Sequence, residues 1–88
     1  MVTFEDVWAR VMAHAGGEFE TKTGRPFTYG VHGGAVRPSR TDYLLGRNEF
    51  VRALAHVPCD GPRDMSFVRG PSYIWAILHD RRIRRGDW

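Results

Sequence analysis

The chain has 88 residues, 42% of them apolar, with a formal net charge of +3 and a pI of about 9.6. That length supports one core and excludes two independent domains, and the apolar share excludes a disordered tail. A single cysteine, Cys59, excludes an intrachain disulfide framework and fits a reducing, cytoplasmic setting.

Thr3 to Ala15 predicts the first helix, near 4–15. Phe4, Val7, Trp8, Val11 and Ala15 fall on one side of a 3.6-residue period. Thr3 and Asp6 have the spacing of a capping box, and Gly16-Gly17 ends the helix. Acids at Glu5 and Asp6 and the lack of a long apolar run argue against a signal peptide. His14 reads as a last-turn residue favoured by the helix dipole, ahead of any catalytic role.

From Glu18 to Tyr43 the period drops to two. Phe19 and Thr21 alternate with Glu18, Glu20 and Lys22, and Thr23-Gly24-Arg25-Pro26 marks a turn. Phe27, Tyr29 and Val31 then share one strand face, read as the core side. His32-Gly33-Gly34-Ala35 is a hairpin reversal, because paired glycines tolerate the positive φ of a tight turn. Val36 begins the return strand, which Pro38 ends or confines to an edge. Tyr43 to Leu45 is a further short strand candidate.

Asn48 to Val57 predicts a second helix (48–57), with Asn48 as N-cap, Glu49 in the first turn and Phe50, Ala53, Leu54 and Val57 as its stripe. Pro58 stops it. Residues 58–62 form a loop, and Met65, Phe67 and Val68 belong to a short strand or a core plug. Gly70-Pro71-Ser72 opens the third helix (71–79), with Pro71 in the first turn or Ser72 as cap. Pro71 to Leu78 carries no charge, so this helix is expected to be covered on several sides, with His79 and Asp80 returning it to solvent. The expected core includes Trp8, Phe50, Leu54, Tyr73, Ile74, Ile77 and Leu78. The resulting fold is α+β, a single domain over residues 1–88. A small antiparallel hairpin or meander has about three helices on one face, in the order α-β-β-α-α.

Twelve of the thirteen basic residues are arginine. Positive charge gathers late: residues 1–36 are net −1, residues 37–62 net +1 and residues 63–88 net +3. Arg81, Arg82, Arg84 and Arg85 surround Ile83, and such a cluster suits phosphates through the rigid guanidinium fork. A solvated tail is the plainer reading of the same residues. Arg37 and Arg40 beside the hairpin, with Arg47 and Arg52 on the second helix, have the loose outline of a wing next to a DNA-reading helix. The leading expectation is therefore a non-catalytic nucleic-acid-binding accessory protein that uses Arg37, Arg40, Arg47, Arg52, Arg81, Arg82, Arg84 and Arg85. The alternative is a protein-interaction or self-associating module that uses Ile83, Trp88 and the neighbouring arginines, since Trp and Arg dominate interface energies.

Catalysis is the least favoured class. His56 and Cys59 are spaced like metal ligands, but a structural zinc site takes four ligands and no second cysteine exists. Neither a phosphate loop nor a dinucleotide fingerprint occurs. No metal, no cofactor and no membrane partner are expected, nothing approaching eighteen consecutive apolar residues being present. The dense Arg, Gly and Trp content resembles that of small accessory proteins of GC-rich bacteria and their phages, without a motif that carries a residue role.

Overall fold

The computed structural model describes residues 2–88. It is a small α+β domain in which an antiparallel hairpin region is flanked by helices that pack on one another. Helix α1 (Phe4–Ala13) starts on the expected capping box: Asp6 N–H donates to Thr3 Oγ1 at 3.2 Å, and Thr3 N–H donates to Asp6 Oδ2 at 2.9 Å. It ends two residues before the predicted Ala15, with His14 as C-cap. Gly16 then adopts φ +89° and donates its N–H to the Tyr29 carbonyl at 2.8 Å, tying the end of the helix to the hairpin.

The meander is two short ladders. Strand β1 (Phe19–Glu20) pairs with β2 (Pro26–Phe27), and β3 (Tyr29–His32) pairs with β4 (Ala35–Pro38). Gly33 and Gly34, at φ +59° and +77°, make the tight turn the paired glycines predict. The expected continuous strand from Phe27 to Val31 is interrupted at Thr28, whose N–H donates to Ser39 Oγ and whose carbonyl accepts from Ser39 N–H. Phe27 and Tyr29 still face the core, and Val31 is half-buried. The Tyr43–Leu45 candidate shrinks to a bridge between Leu45 and Val36.

Helix α2 (Arg47–Leu54) corrects the predicted 48–57 span: Gly46 is its N-cap, so Asn48 is the second residue of the helix, with its side chain exposed. The Leu45–Val36 bridge fixes the approach of the chain and forces the helix to start there. The strand option for 64–69 is replaced by a 3-10 turn, Pro62–Met65. Met65 and Val68 plug the core, whereas Phe67 is 40% exposed.

Helix α3 (Pro71–His79) has Pro71 in its first turn and Gly70, not Ser72, as N-cap. Gly70 needs to be glycine twice over: its φ is +58°, and a Cβ there would lie 2.8 Å from Leu45 Cδ2. Ile74, Ala76, Ile77 and Leu78 are buried because α3 is surrounded by the 3-10 turn, α2, β1 and a fourth helix, α4 (Arg81–Arg84). Trp8, Leu54 and Tyr73 are half-buried at the margin of this core, not inside it. The order is thus α-β-β-β-β-α-α-α, the extra helix lying where a solvated tail was one reading. Among the described residues no helix is long and apolar enough to cross a membrane.

Candidate nucleic-acid interface

The eight arginines singled out by charge divide into different environments. The C-terminal group is largely consumed by the fold. Asp80 caps α4, accepting from Arg82 N–H at 2.9 Å and from Arg82 Nε at 2.8 Å. Partial burial pushes the Asp80 carboxyl up, but the hydrogen bonds from Arg82 outweigh it and hold the group below the usual carboxylate range. The Arg82 guanidinium also lies 3.9 Å from the centre of the Phe19 ring and donates to the Glu18 carbonyl at 2.6 Å. Arg84 donates to the Trp88 carbonyl and Arg85 to the Arg82 carbonyl. Arg10 clamps the segment from α1, reaching the Ile83 carbonyl at 2.8 Å and Asp87 at 2.7 Å.

Ile83 is 0% exposed, so its side chain is core and not a surface contact. Trp88 folds back, half-buried, with its indole N–H on the Leu78 carbonyl at 2.8 Å. Of the cluster, Arg81 is exposed without a polar side-chain partner among the described residues. His79 and Asp80, expected to face solvent, are both half-buried, His79 against the Trp75 ring and the Cys59 N–H and Asp80 under the Arg82 guanidinium.

Arg37 is exposed on β4, while Arg40 donates from Nε to the Pro26 carbonyl at 2.7 Å. No hydrogen bond or ion pair joins either of them, or the 81–85 group, to α2 among the described residues. Helices α2 and α4 instead both pack on α1.

The α2 arginines do come together. Arg47, Arg52 and Arg69 line one cleft of about 370 Å³ with Leu44, Gly46, Asn48 and Glu49. Each guanidinium is held over a ring: Arg47 over Phe4 at 4.8 Å, Arg52 over Phe67 at 5.5 Å and Arg69 over Tyr43 at 4.9 Å. Arg47 pairs with Glu5, and Arg52 reaches Glu49 Oε2 at 3.2 Å and donates to the Phe67 carbonyl at 2.9 Å. Such exposed ion pairs contribute only about 0–1 kcal/mol, so a phosphate can displace them. Asn48, freed from the capping role, shares the outer face of α2 with Val51 and Arg52. Arg69 is the residue that sequence reasoning missed, because 64–69 has no period from which to place it. Its position just before Gly70-Pro71 is the available clue.

His56 packs on Phe67, ring centres 4.6 Å apart, and it is His79 that meets Cys59: its Nε2 accepts the Cys59 N–H at 3.1 Å. That bond occupies the nitrogen a general base would use. Burial pushes the Cys59 thiol up, and the Asp64 carboxylate adds to it, the reverse of an activated nucleophile. Among the described residues no group of three or more His, Cys, Asp or Glu side chains is placed to hold a metal. The chain matches no protein-family model, no curated protein and no solved structure.

Proposed function

We propose that the domain binds duplex nucleic acid without catalysis, through the outer face of α2. One observation carries this reading: Arg47, Arg52 and Arg69 converge on a single cleft that also holds Asn48. Arginine gives bidentate contacts to phosphate or to guanine, and asparagine gives them to adenine. Val51, 40% exposed on the same face, suits the methyl group of thymine. Arg37 and Arg81 are exposed cations of the predicted set whose side chains make no hydrogen bond among the described residues, available for outlying phosphates. Arg40, Arg82, Arg84 and Arg85 act here as structural residues. The reading brings a reducing, cytoplasmic compartment with it.

Fluorescence-polarisation titration with duplex and single-stranded probes at two salt concentrations tests it. With three arginines neutralising phosphates, log affinity falls against log salt with a slope of about −3, each phosphate contributing about −0.9. Absence of binding at low ionic strength removes the reading.

A second reading has its own observation. Leu44, Val51 and Phe67 are 44%, 40% and 40% exposed, and they border the same arginines. An apolar patch mixed with arginine is also the composition of a protein interface. The protein-interaction alternative therefore moves from Ile83 and Trp88 to this face. Sedimentation at several concentrations, with and without Val51→Glu, separates self-association from a monomer.

A further inference from the structure

On the other side of the start of α3 lies a second cleft, of about 440 Å³, which the α2 reading does not use. The β1–β2 turn contributes Lys22, Thr23 and Arg25; Pro62, Ser72 and Tyr73 lie opposite. We propose that this cleft binds a phosphomonoester, the phosphate held between Lys22 and Arg25 and its carrier group lying against Pro62 and Tyr73.

Two cations and several hydroxyls line the cleft, and no carboxylate does, whereas the α2 cleft contains Glu49. Arg25 differs from Arg47, Arg52 and Arg82 in having no side-chain hydrogen bond, ion pair or aromatic partner among the described residues. Its donors are unspent. Lys22 donates from Nζ to the Asp60 carbonyl at 2.6 Å, a neutral partner that orients the ammonium without cancelling its charge. An ammonium and a guanidinium together supply a point charge and a fork, the two ways in which proteins hold phosphate oxygens.

The turn that presents both cations is closed by Thr21 N–H on the Arg25 carbonyl and Gly24 N–H on the Thr21 carbonyl, both at 2.9 Å. Arg25 N–H adds a bond to Thr21 Oγ1 at 3.1 Å. Across the cleft, the edge of Phe27 meets the Tyr73 ring, with centres 5.1 Å apart and planes at 74°. The turn backbone and the Tyr73 ring are therefore set before a ligand arrives, which lowers part of the ordering cost of binding. The hydroxyls of Ser72 and Tyr73 have no intramolecular partner among the described residues and complete the donor set.

The volume exceeds what a bare phosphate fills and lies within the range of small-ligand sites, roughly 300–1,000 Å³. The phosphate could be that of a free nucleotide or a terminal phosphate on a nucleic-acid strand. Both present the same dianion to Lys22 and Arg25.

The test is an amide chemical-shift titration with inorganic phosphate, adenosine monophosphate and adenosine. The further probes are one short duplex with and without a 5′ phosphate. Phosphate and adenosine monophosphate are expected to give saturable shifts confined to residues 22–25 and 72–73, and adenosine none. Arg25→Gln, a change at an exposed and unpartnered side chain, is expected to weaken binding at least about tenfold, with Lys22→Gln as the second variant. Tighter binding of the nucleotide than of phosphate assigns the site to small molecules. A preference for the phosphorylated duplex, with the nucleotide no better than phosphate, assigns it to strand ends. Either supports the phosphate site. Shifts that do not saturate, that centre on residues 47–52 and 69, or that persist unchanged in both variants overturn it. Failure of the α2 face to bind duplex leaves the shifts at 22–25 untouched, so the two readings fail independently.

Discussion

Residues 81–85 and the α2 cleft use the same side chain for opposite purposes. Around Ile83, guanidinium groups turn inward to carbonyl oxygens and to Asp80; Arg82 ties the four-residue helix to Glu18 and the Phe19 ring, and Arg10 ties it to α1. Around α2, Arg47, Arg52 and Arg69 lie over aromatic rings at the surface and border an open cleft. The denser cluster in sequence is the less available one in space. A helix of four residues cannot stabilise itself, because nucleation costs more than one turn of hydrogen bonds returns. Its arginines supply the missing attachment. Eight-residue α2 is anchored by buried Phe50 and Ala53, so its arginines make only surface bonds, to Glu5, Glu49 and the Phe67 carbonyl, that a ligand can replace.

Truncation at Ile83 is the severest way to break this contrast. Ile83→Ala removes a fully buried side chain and is expected to cost about 2–4 kcal/mol in a denaturant titration. A loss below about 1 kcal/mol would show that α4 is a dispensable appendage. Arg82→Ala comes next, at about 1 kcal/mol after allowance for its partial exposure, since it removes the guanidinium's bonds to the Asp80 carboxylate and to the Glu18 carbonyl together while the backbone cap on Asp80 stays. Equal stability of that variant and the parent would place the C-terminal arginines in the same class as those of α2.

The pH profile sharpens the division further. His79 satisfies both ring nitrogens only when neutral, with Nδ1–H on the Trp75 carbonyl at 2.9 Å and Nε2 accepting from Cys59. Partial burial, with the Arg84 charge adding to it and the bond to Trp75 opposing it, holds its pKa below the ordinary 6.5. The unfolded chain therefore takes up the proton first. Stability is complete above pH 6.5 and declines as pH falls from there towards the lower folded value. Asp80 behaves alike in a separate, more acidic window: its contribution is complete above the ordinary 3.8 and is lost below it. Urea midpoints at about pH 7.5 and about pH 5.5 are expected to differ in the parent and to converge in His79→Ala. A parent midpoint that does not move would disconnect His79 from the anchoring of residues 58–61. The smallest effect on stability belongs to Arg52→Ala, within about 0.5 kcal/mol, and it is accompanied by weaker duplex binding with a shallower salt slope.

Elements governed by neighbours in sequence were legible. The Thr3–Asp6 pair, the Gly33–Gly34 turn and Pro71 at the start of α3 each act over a few residues, and each stands where its chemistry demands. Elements governed by distant partners were not. The interruption at Thr28 depends on Ser39, and the start of α2 depends on the bridge between Leu45 and Val36. Helix α4 depends on Arg10 from the far end of the chain. The candidate interface shows the same split. Arg47 and Arg52 could be read from the face they occupy on a recognisable helix, whereas Arg69 joins them only through the fold.

Tyr29 carries a further consequence. Its hydroxyl donates to the Val11 carbonyl at 2.5 Å, and burial pushes its ionisation well above the ordinary 10. In alkaline solution the released chain can form a tyrosinate at this position long before the native molecule does. Folding thus withholds the red-shifted tyrosinate band of this one phenol until the helix–hairpin joint parts. The domain carries an intrinsic dye for its own opening, readable by stopped-flow absorbance without any label.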